Sequence, residues 1–407
     1  MLFVRPATLS DLDALEAMAR AARPVLHSLP HDRKALEARV ALSEDSFHAQ
    51  VDYPGEEVYL FVLEDGSTGQ LLGTSSIIAS AGYAAPFYAF RNDALIHASR
   101  ELHVSRKIHA LTMSHELTGK SRLAGFYVDA TLNENDAPDV HIRSLPSGES
   151  DAATHLLSRA RMMYIAANRR RFSSEVFSLL LGVTDEAGTS PFWEAVGRKF
   201  FGRDFSDIEK ISGGRSATFI AEVMPTYPLY VPLLPETAQR VLGEPNAKSL
   251  RAYDIHLEEG FEPDRFVDIF DAGPVLTVQV DRTACVMHNE TRMVREVSEP
   301  RAAASVSRAA ATTVSGDGTG AYLVASNRVG DFRCVLAELP ESMGLGAPLA
   351  SASRAALGVV HGDPVYCVPL RRPLDDGGGA ADEADAGSEA AGGAHADAAR
   401  SHSGARR

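Results

Sequence analysis

The sequence predicts an α/β protein. Three stretches carry that reading: a strand and an amphipathic helix at the start, a β-hairpin between Glu57 and Ser80, and an alternation of strand, helix, strand and helix from Ala124 to Phe201. Leu2 to Ala7 is a short apolar run. Ser10 or Asp11 then serves as N-cap for a helix whose Leu12, Leu15, Met18 and Ala19 recur at helical spacing. VYLFVLED and LLGTSSIIAS, separated by Gly66 and Gly69, form the hairpin. Tyr83 to Gly119 reads as mixed loop and helix. Ala124 to Ala130 is a buried strand, and a helix beginning near Asp151 gathers Leu156, Leu157, Ala160, Met163, Tyr164 and Ala167 on one face. Ser174 to Val183 is the next strand, and Pro191 to Phe201 is a short helix with Pro in its first turn. A strand over Ala217 to Met224 follows, then helices over Pro235 to Leu242 and Ser249 to Glu259, the second closed by Gly260. Beyond Thr277 the pattern changes to short β-rich runs, LTVQV, AYLVAS, FRCVLAEL and VYCVPL.

The chain has 407 residues, enough for two or three domains. The expected division is a main domain over 1–276, a small β subdomain over 277–371 with an Ala/Ser/Thr/Gly-rich loop at 301–320, and a tail over 372–407. That tail lacks large apolar side chains and is expected to be disordered. With 40 Lys and Arg against 54 Asp and Glu, the net charge of −14 disfavours a broad grip on nucleic acid. Arg5 and Pro6 interrupt the start before any signal-like apolar run, so neither secretion nor a membrane is expected and the chain is read as cytoplasmic. Cys285, Cys334 and Cys367 lack CxxC spacing and are read as free thiols, with no metal site.

Several blocks resemble the α-subunit branch of the bacterial arginine N-succinyltransferases, also described as arginine/ornithine succinyltransferases. They are YLFVLEDGSTGQLLGTSSIIASAG, FYAFRNDALIHASRELHVSRKIHALTMSHELTG, SPFWEAVGRKFF, FIAEVMPTYPLYVPLLP and EEGFEPDRFVDIFDAGPVL, collinear from Leu2 to Asp281, with a weaker match through YLVASN and DFRCVL to Leu370. The resemblance implies a GNAT-type acyl-CoA N-acyltransferase fold, a mixed twisted sheet flanked by helices. It implies transfer of the succinyl group of succinyl-CoA to the α-amino group of L-arginine, with L-ornithine as a further acceptor, in arginine catabolism. It also implies a homologous β subunit as partner and no permanently bound cofactor.

Amine acylation needs a neutral amine, a donor for the oxyanion, an acid for the thiolate and a cradle for the pyrophosphate. In GNAT folds a Gly-rich loop at a helix N-terminus supplies the cradle. Here the loop over Thr131 to Ser150 offers only Gly148, flanked by Glu149 and Asp151. A helix dipole contributes roughly 0.3–1 kcal/mol toward an anion, which two carboxylates oppose, so the loop is a poor phosphate cradle and Glu149 and Asp151 read first as caps of the helix. Arg143, Arg159 and Arg161 are the cations able to reach a CoA phosphate. By resemblance Phe126 holds succinyl-CoA through its backbone; an ordinary core aromatic is the other reading. In the family a G-Q-V-H-P segment supplies a proton-donating His. Here Gly243, Glu244, Pro245, Asn246 and Ala247 stand in its place, and Asn246 cannot transfer a proton near pH 7. The chain is therefore expected to depend on its partner or, alternatively, to be a non-catalytic regulatory or stabilising subunit. His97 matches a family His and is a candidate base. His256 reads as either a Tyr-acid substitute or a solvated helix residue. His109 and His115 lack companions for a metal. Glu222, Asp268 and Asp271 are candidate carboxylates for a guanidinium, with a turn role beside Gly273 open for the last two.

Overall fold

The computed structural model describes residues 1–22, 29–129, 148–185, 188–204, 222–296, 318–340, 344 and 346–370, with backbone alone for 148–150. In chain order the first half comprises β1 (Leu2–Pro6), α1 (Leu12–Ala21), α2 (Arg33–His48), β2 (Val58–Asp65), β3 (Gln70–Ile78), β4 (Ala89–Ser99), β5 (Val104–Ser114), β6 (Ser121–Val128), α3 (Gly148–Ala167) and β7 (Glu175–Leu179). The second half comprises α4 (Pro191–Ala195), α5 (Gly197–Phe201), β8 (Leu229–Tyr230), α6 (Glu236–Gln239), α7 (Leu250–Glu258), β9 (Glu262–Val267), β10 (Pro274–Gln279), α8 (Ala284–Met287), β11 (Glu290–Glu296), β12 (Thr319–Ser326), β13 (Cys334–Pro340), β14 (Gly346–Leu349), α9 (Ser351–Leu357) and β15 (Pro364–Pro369). The strands form one sheet in the order β14-β11-β15-β12-β13-β1-β2-β3-β6-β7-β10-β9-β4-β5-β8. Among the described strands only β6 with β7 and β11 with β14 run parallel. Among the described residues no helix is long and apolar enough to cross a membrane.

At the N-terminus Thr8 caps a 3-10 turn over Leu9–Asp11. Asp11, one of the two residues expected, is the N-cap of α1, but its carboxylate makes no capping bond to that helix; it accepts from the Thr8 amide at 2.8 Å and grips Arg5 in a fork at 2.7 and 2.9 Å. Burial pushes its carboxyl up, but these bonds outweigh burial and hold it below the usual range. The sequence pattern does not reveal α2, because Ser43 and Ser46 interrupt its apolar stripe of Leu36, Val40 and Phe47. Those serines face β2: Leu60 N donates to Ser43 Oγ at 2.8 Å and Val58 N to Ser46 Oγ at 3.1 Å. They satisfy strand amides beyond Phe61, where the pairing with β1 stops.

Tyr83 to Gly119 is not mixed loop and helix. It contains β4 and β5, paired without a break from Ala89↔Ser114 to Ser99↔Val104. The distal half of this hairpin is exposed on both faces, so no period-two alternation marks it. Pro191 to Phe201 is two short helices meeting at Val196, and only Glu236–Gln239 of the expected 235–242 helix is α-helical. The expected strand over 217–224 lies outside the described residues up to 221, and residues 222 and 223 are helical. The loop at 301–320, apart from its last three residues, and the tail at 372–407 also lie outside the described residues. LTVQV, read as opening the C-terminal β region, is largely β10, which pairs with β7 and β9; the strands specific to that region are β11 to β15. β1 links the two parts, bonding β2 on one side and β13 on the other.

The helix α3 is central. From Asp151 to Ile165 almost every residue is buried, so it is covered on all sides. Tyr164 lies in a nest of Phe47, Tyr59, Phe61, Phe172 and Phe332, with ring centroids 5.2–5.9 Å from its own.

Candidate active site

Among the described residues, the middle of the sheet opens where its central parallel pair separates. β6 and β7 pair at Ser121↔Val176, Arg122↔Phe177 and Leu123↔Ser178, and β6 then continues to Val128 with a strand partner on its β3 side alone. The separation begins at a bulge. The β3–β6 register passes from Ser76↔Ala124 to Thr74↔Tyr127, so Gly125 and Phe126 oppose the single residue Ser75. Gly125 has φ +61°, a conformation that glycine adopts without a steric cost. On the other side of the wedge β7 is prolonged by a bridge between Gly182 and Pro245, and Asn246 N donates to Leu181 O at 2.8 Å. The β6 edge facing this wedge offers backbone N–H and C=O groups to an extended ligand, the means by which a peptide-like pantetheine arm is held.

Asn246 thus sits beside the wedge. Its Nδ2 donates to Thr184 Oγ1 at 3.3 Å and Gly182 O at 3.4 Å, and its Oδ1 accepts from Lys248 N at 3.1 Å. Phe126 lies on β6 at the bulge, half-buried against the core. Gly148 is the first residue of α3, three residues earlier than the expected start at Asp151; Arg143 and the rest of the loop before it lie outside the described residues.

Other site residues are engaged elsewhere. Arg159, expected to reach CoA, is buried and bound to Glu258 and to Glu259 at 3.2 Å, which already balance its charge. Asp268 and Asp271 are buried in the β9–β10 turn. Asp268 accepts from Phe270 N and Asp271 N at 2.8 and 3.2 Å, and Asp271 accepts from Gly273 N and Gly182 N at 2.8 and 3.0 Å. These bonds hold amides in the turn and tie it to the end of β7. His97 is exposed near the hairpin tip, with its ring 6.4 Å from that of Tyr230, and β10 and β9 stand between β7 and its strand; the structure does not bring it to the wedge. His109 bonds Asn92 Oδ1 at 2.9 Å.

Between α3 and α7 lies a polar layer that sequence reasoning missed as a unit. Asp151 accepts from both Nε and Nη2 of Arg251, and Arg251 Nη2 also donates to His155 Nε2 at 2.7 Å. Glu259 accepts from Cys285 N at 3.0 Å and from its Sγ at 3.3 Å. Burial, then the charges of Arg159 and Arg251, keeps His155 neutral. The available signal was the spacing of Asp151, His155 and Arg159 four residues apart, which places three polar groups on one helix face.

Deeper in the same region, Arg161 is 1% exposed. It donates from Nε to Ser158 O at 3.2 Å and from Nη2 to Ser158 Oγ at 3.1 Å, and its guanidinium lies 5.3 Å from the centroid of the Phe126 ring. No carboxylate among the described residues pairs with it. Burial pushes its pKa down to about 9, so it remains a cation at neutral pH. Burying an unpaired charge costs several kcal/mol, whereas a cation–π contact returns about 2 kcal/mol at most. His256, expected on a solvated face, is 3% exposed. Its Nδ1 bonds Ala252 O, its Nε2 has no partner among the described residues, and burial followed by the Arg161 charge brings its pKa down to about 3.

The order β1-β2-β3-β6-β7-β10-β9, with one parallel pair that parts at a bulge, defines a GNAT-type acyl-CoA N-acyltransferase. The chain belongs to the arginine N-succinyltransferase family. The family model described as arginine N-succinyltransferase beta subunit matches residues 2–285, and a second model, for the C-terminal domain of that beta subunit, matches residues 305–369. Arginine N-succinyltransferase subunit alpha of Pseudomonas aeruginosa is 39% identical over 370 residues, covering 91% of this chain and 100% of that one. Arginine N-succinyltransferase of Photorhabdus laumondii is 35% identical, covering 91% and 98%. The solved structure of arginine/ornithine succinyltransferase subunit AI from Pseudomonas aeruginosa superposes with a TM-score of 0.74 at 35% identity, covering 91% of this chain and 99% of that one.

Proposed function

We propose that this chain transfers the succinyl group of succinyl-CoA to the α-amino group of L-arginine in arginine catabolism in the cytoplasm, working beside a homologous β-type subunit. L-ornithine is the second acceptor to test. The observation that carries the reading is the wedge between β6 and β7, open beyond Leu123 and lined by strand amides. The pantetheine arm lies along β6 past Phe126, and the helix N-terminus at Gly148 faces the phosphates. The neutral α-amine attacks the thioester carbon, β6 amides receive the oxyanion, the C–S bond breaks, and the proton lost by nitrogen passes to the departing thiolate. Transfer is direct. Burial pushes all three thiols up, Cys367 to about 12, which leaves no thiolate to carry the acyl group. The test is release of CoA thiol from succinyl-CoA and arginine, by this chain alone and co-expressed with the β-type subunit. Arginine-dependent release by at least one of the two is expected, and none from either would overturn the reading.

A second reading, a non-catalytic subunit that retains the fold, is favoured by Asn246, whose amide is bound among Thr184, Gly182 and Lys248 where the family places a proton donor. Placing a general acid there contributes about 10²–10⁴-fold. Asn246→His is therefore expected to raise thiol release by this chain at least tenfold. An unchanged rate means that the thiolate takes its proton elsewhere.

A further inference from the structure

We propose that Arg161 receives the terminal carboxylate of the succinyl group and so selects a dicarboxylic acyl donor over a neutral one. The proposal rests on succinyl-CoA being the donor and adds the residue that recognises its acyl end. Two of the three guanidinium nitrogens of Arg161 bond Ser158 on its own helix, and Nη1 has no partner among the described residues. Arg161 lies on α3 over the Phe126 ring at the bulge. Carboxylates elsewhere in this layer are engaged: Glu258 and Glu259 by Arg159, Asp151 by Arg251. What Arg161 lacks is an anion, and a planar guanidinium suits a carboxylate better than a single-atom acceptor.

The experiment is calorimetric binding of succinyl-CoA and of butyryl-CoA, which has the same carbon count and no carboxylate, to the full chain and to Arg161→Met and Arg161→Lys. The wild-type chain is expected to prefer succinyl-CoA by at least tenfold. Arg161→Met should bring the ratio near one, while Arg161→Lys keeps the charge and part of the preference. Removing an unpaired buried charge does not threaten folding, and equal or higher thermal midpoints are expected for Arg161→Met. A wild-type chain without preference, or an Arg161→Met variant that keeps it, overturns the proposal; should that variant not fold, an Arg161→Lys ratio equal to wild type does so. The measurement needs neither acceptor nor partner. A chain that prefers succinyl-CoA yet never acylates arginine supports this subsite and removes the transfer reading; one that acylates arginine while binding both thioesters equally removes the subsite alone.

Discussion

His256 shows how a residue's chemistry is set by surroundings its neighbours in sequence do not reveal. Burial and the Arg161 charge hold it neutral, with a pKa down to about 3 from an ordinary value near 6.5. In the unfolded chain it takes up a proton below about pH 6.5, so the unfolded state binds more protons there and stability must rise with pH. The contribution is fully present above pH 6.5 and is lost as the pH falls toward 3. Urea unfolding at pH 7.5 and 5.5 is expected to show the loss, and His256→Leu should reduce the difference by about 1.4 kcal/mol. An identical pH slope in the variant would show that the imidazole is not held neutral. Asn246 and Phe126 were named from the family resemblance, and both lie where β6 and β7 part. Arg159, Asp268 and Asp271 were legible only as charges; what they bind depends on Glu258, Glu259 and the backbone of a turn brought to them by folding.

Among the elements, β6 matters most to the site. Its bulge has Gly125 at φ +61°, a conformation that costs an L-residue roughly 1–2 kcal/mol. Gly125→Ala is expected to lower stability by about that amount and, by straightening β6, to weaken succinyl-CoA binding in the same calorimetric measurement. Retained affinity would show that the bulge does not shape the wedge. Strands with one buried face were readable; the β4–β5 hairpin was not, since its outer half buries neither face and Ile96 stands 77% exposed. The helix α3 was readable in place yet misleading in kind. A helix buried all round carries functional groups on the side that an amphipathic reading assigns to solvent.

The molecule as a whole is tied together through its first strand. Val4 is fully buried and registers with Leu63 on β2 and Cys334 on β13. We propose that the C-terminal strands form a subdomain dependent on this seam. Val4→Ala, which removes two methyl groups from a packed position, is expected to cost about 2 kcal/mol. It should speed amide exchange in both β2 and β13; acceleration in β2 alone would show that the C-terminal strands stand independently.

By itself the sequence determined the α/β class, the positions of strands and helices with one buried face, and the family blocks. These rest on periodicity and local composition, which act over a few residues. Only the tertiary structure decided that the parallel pair parts beyond Leu123, that Arg159 is taken by carboxylates, and that Arg161 lies over Phe126. Such encounters join residues distant in the chain through strand order and helix packing, and no local pattern encodes which buried charge finds a partner and which is left for a ligand.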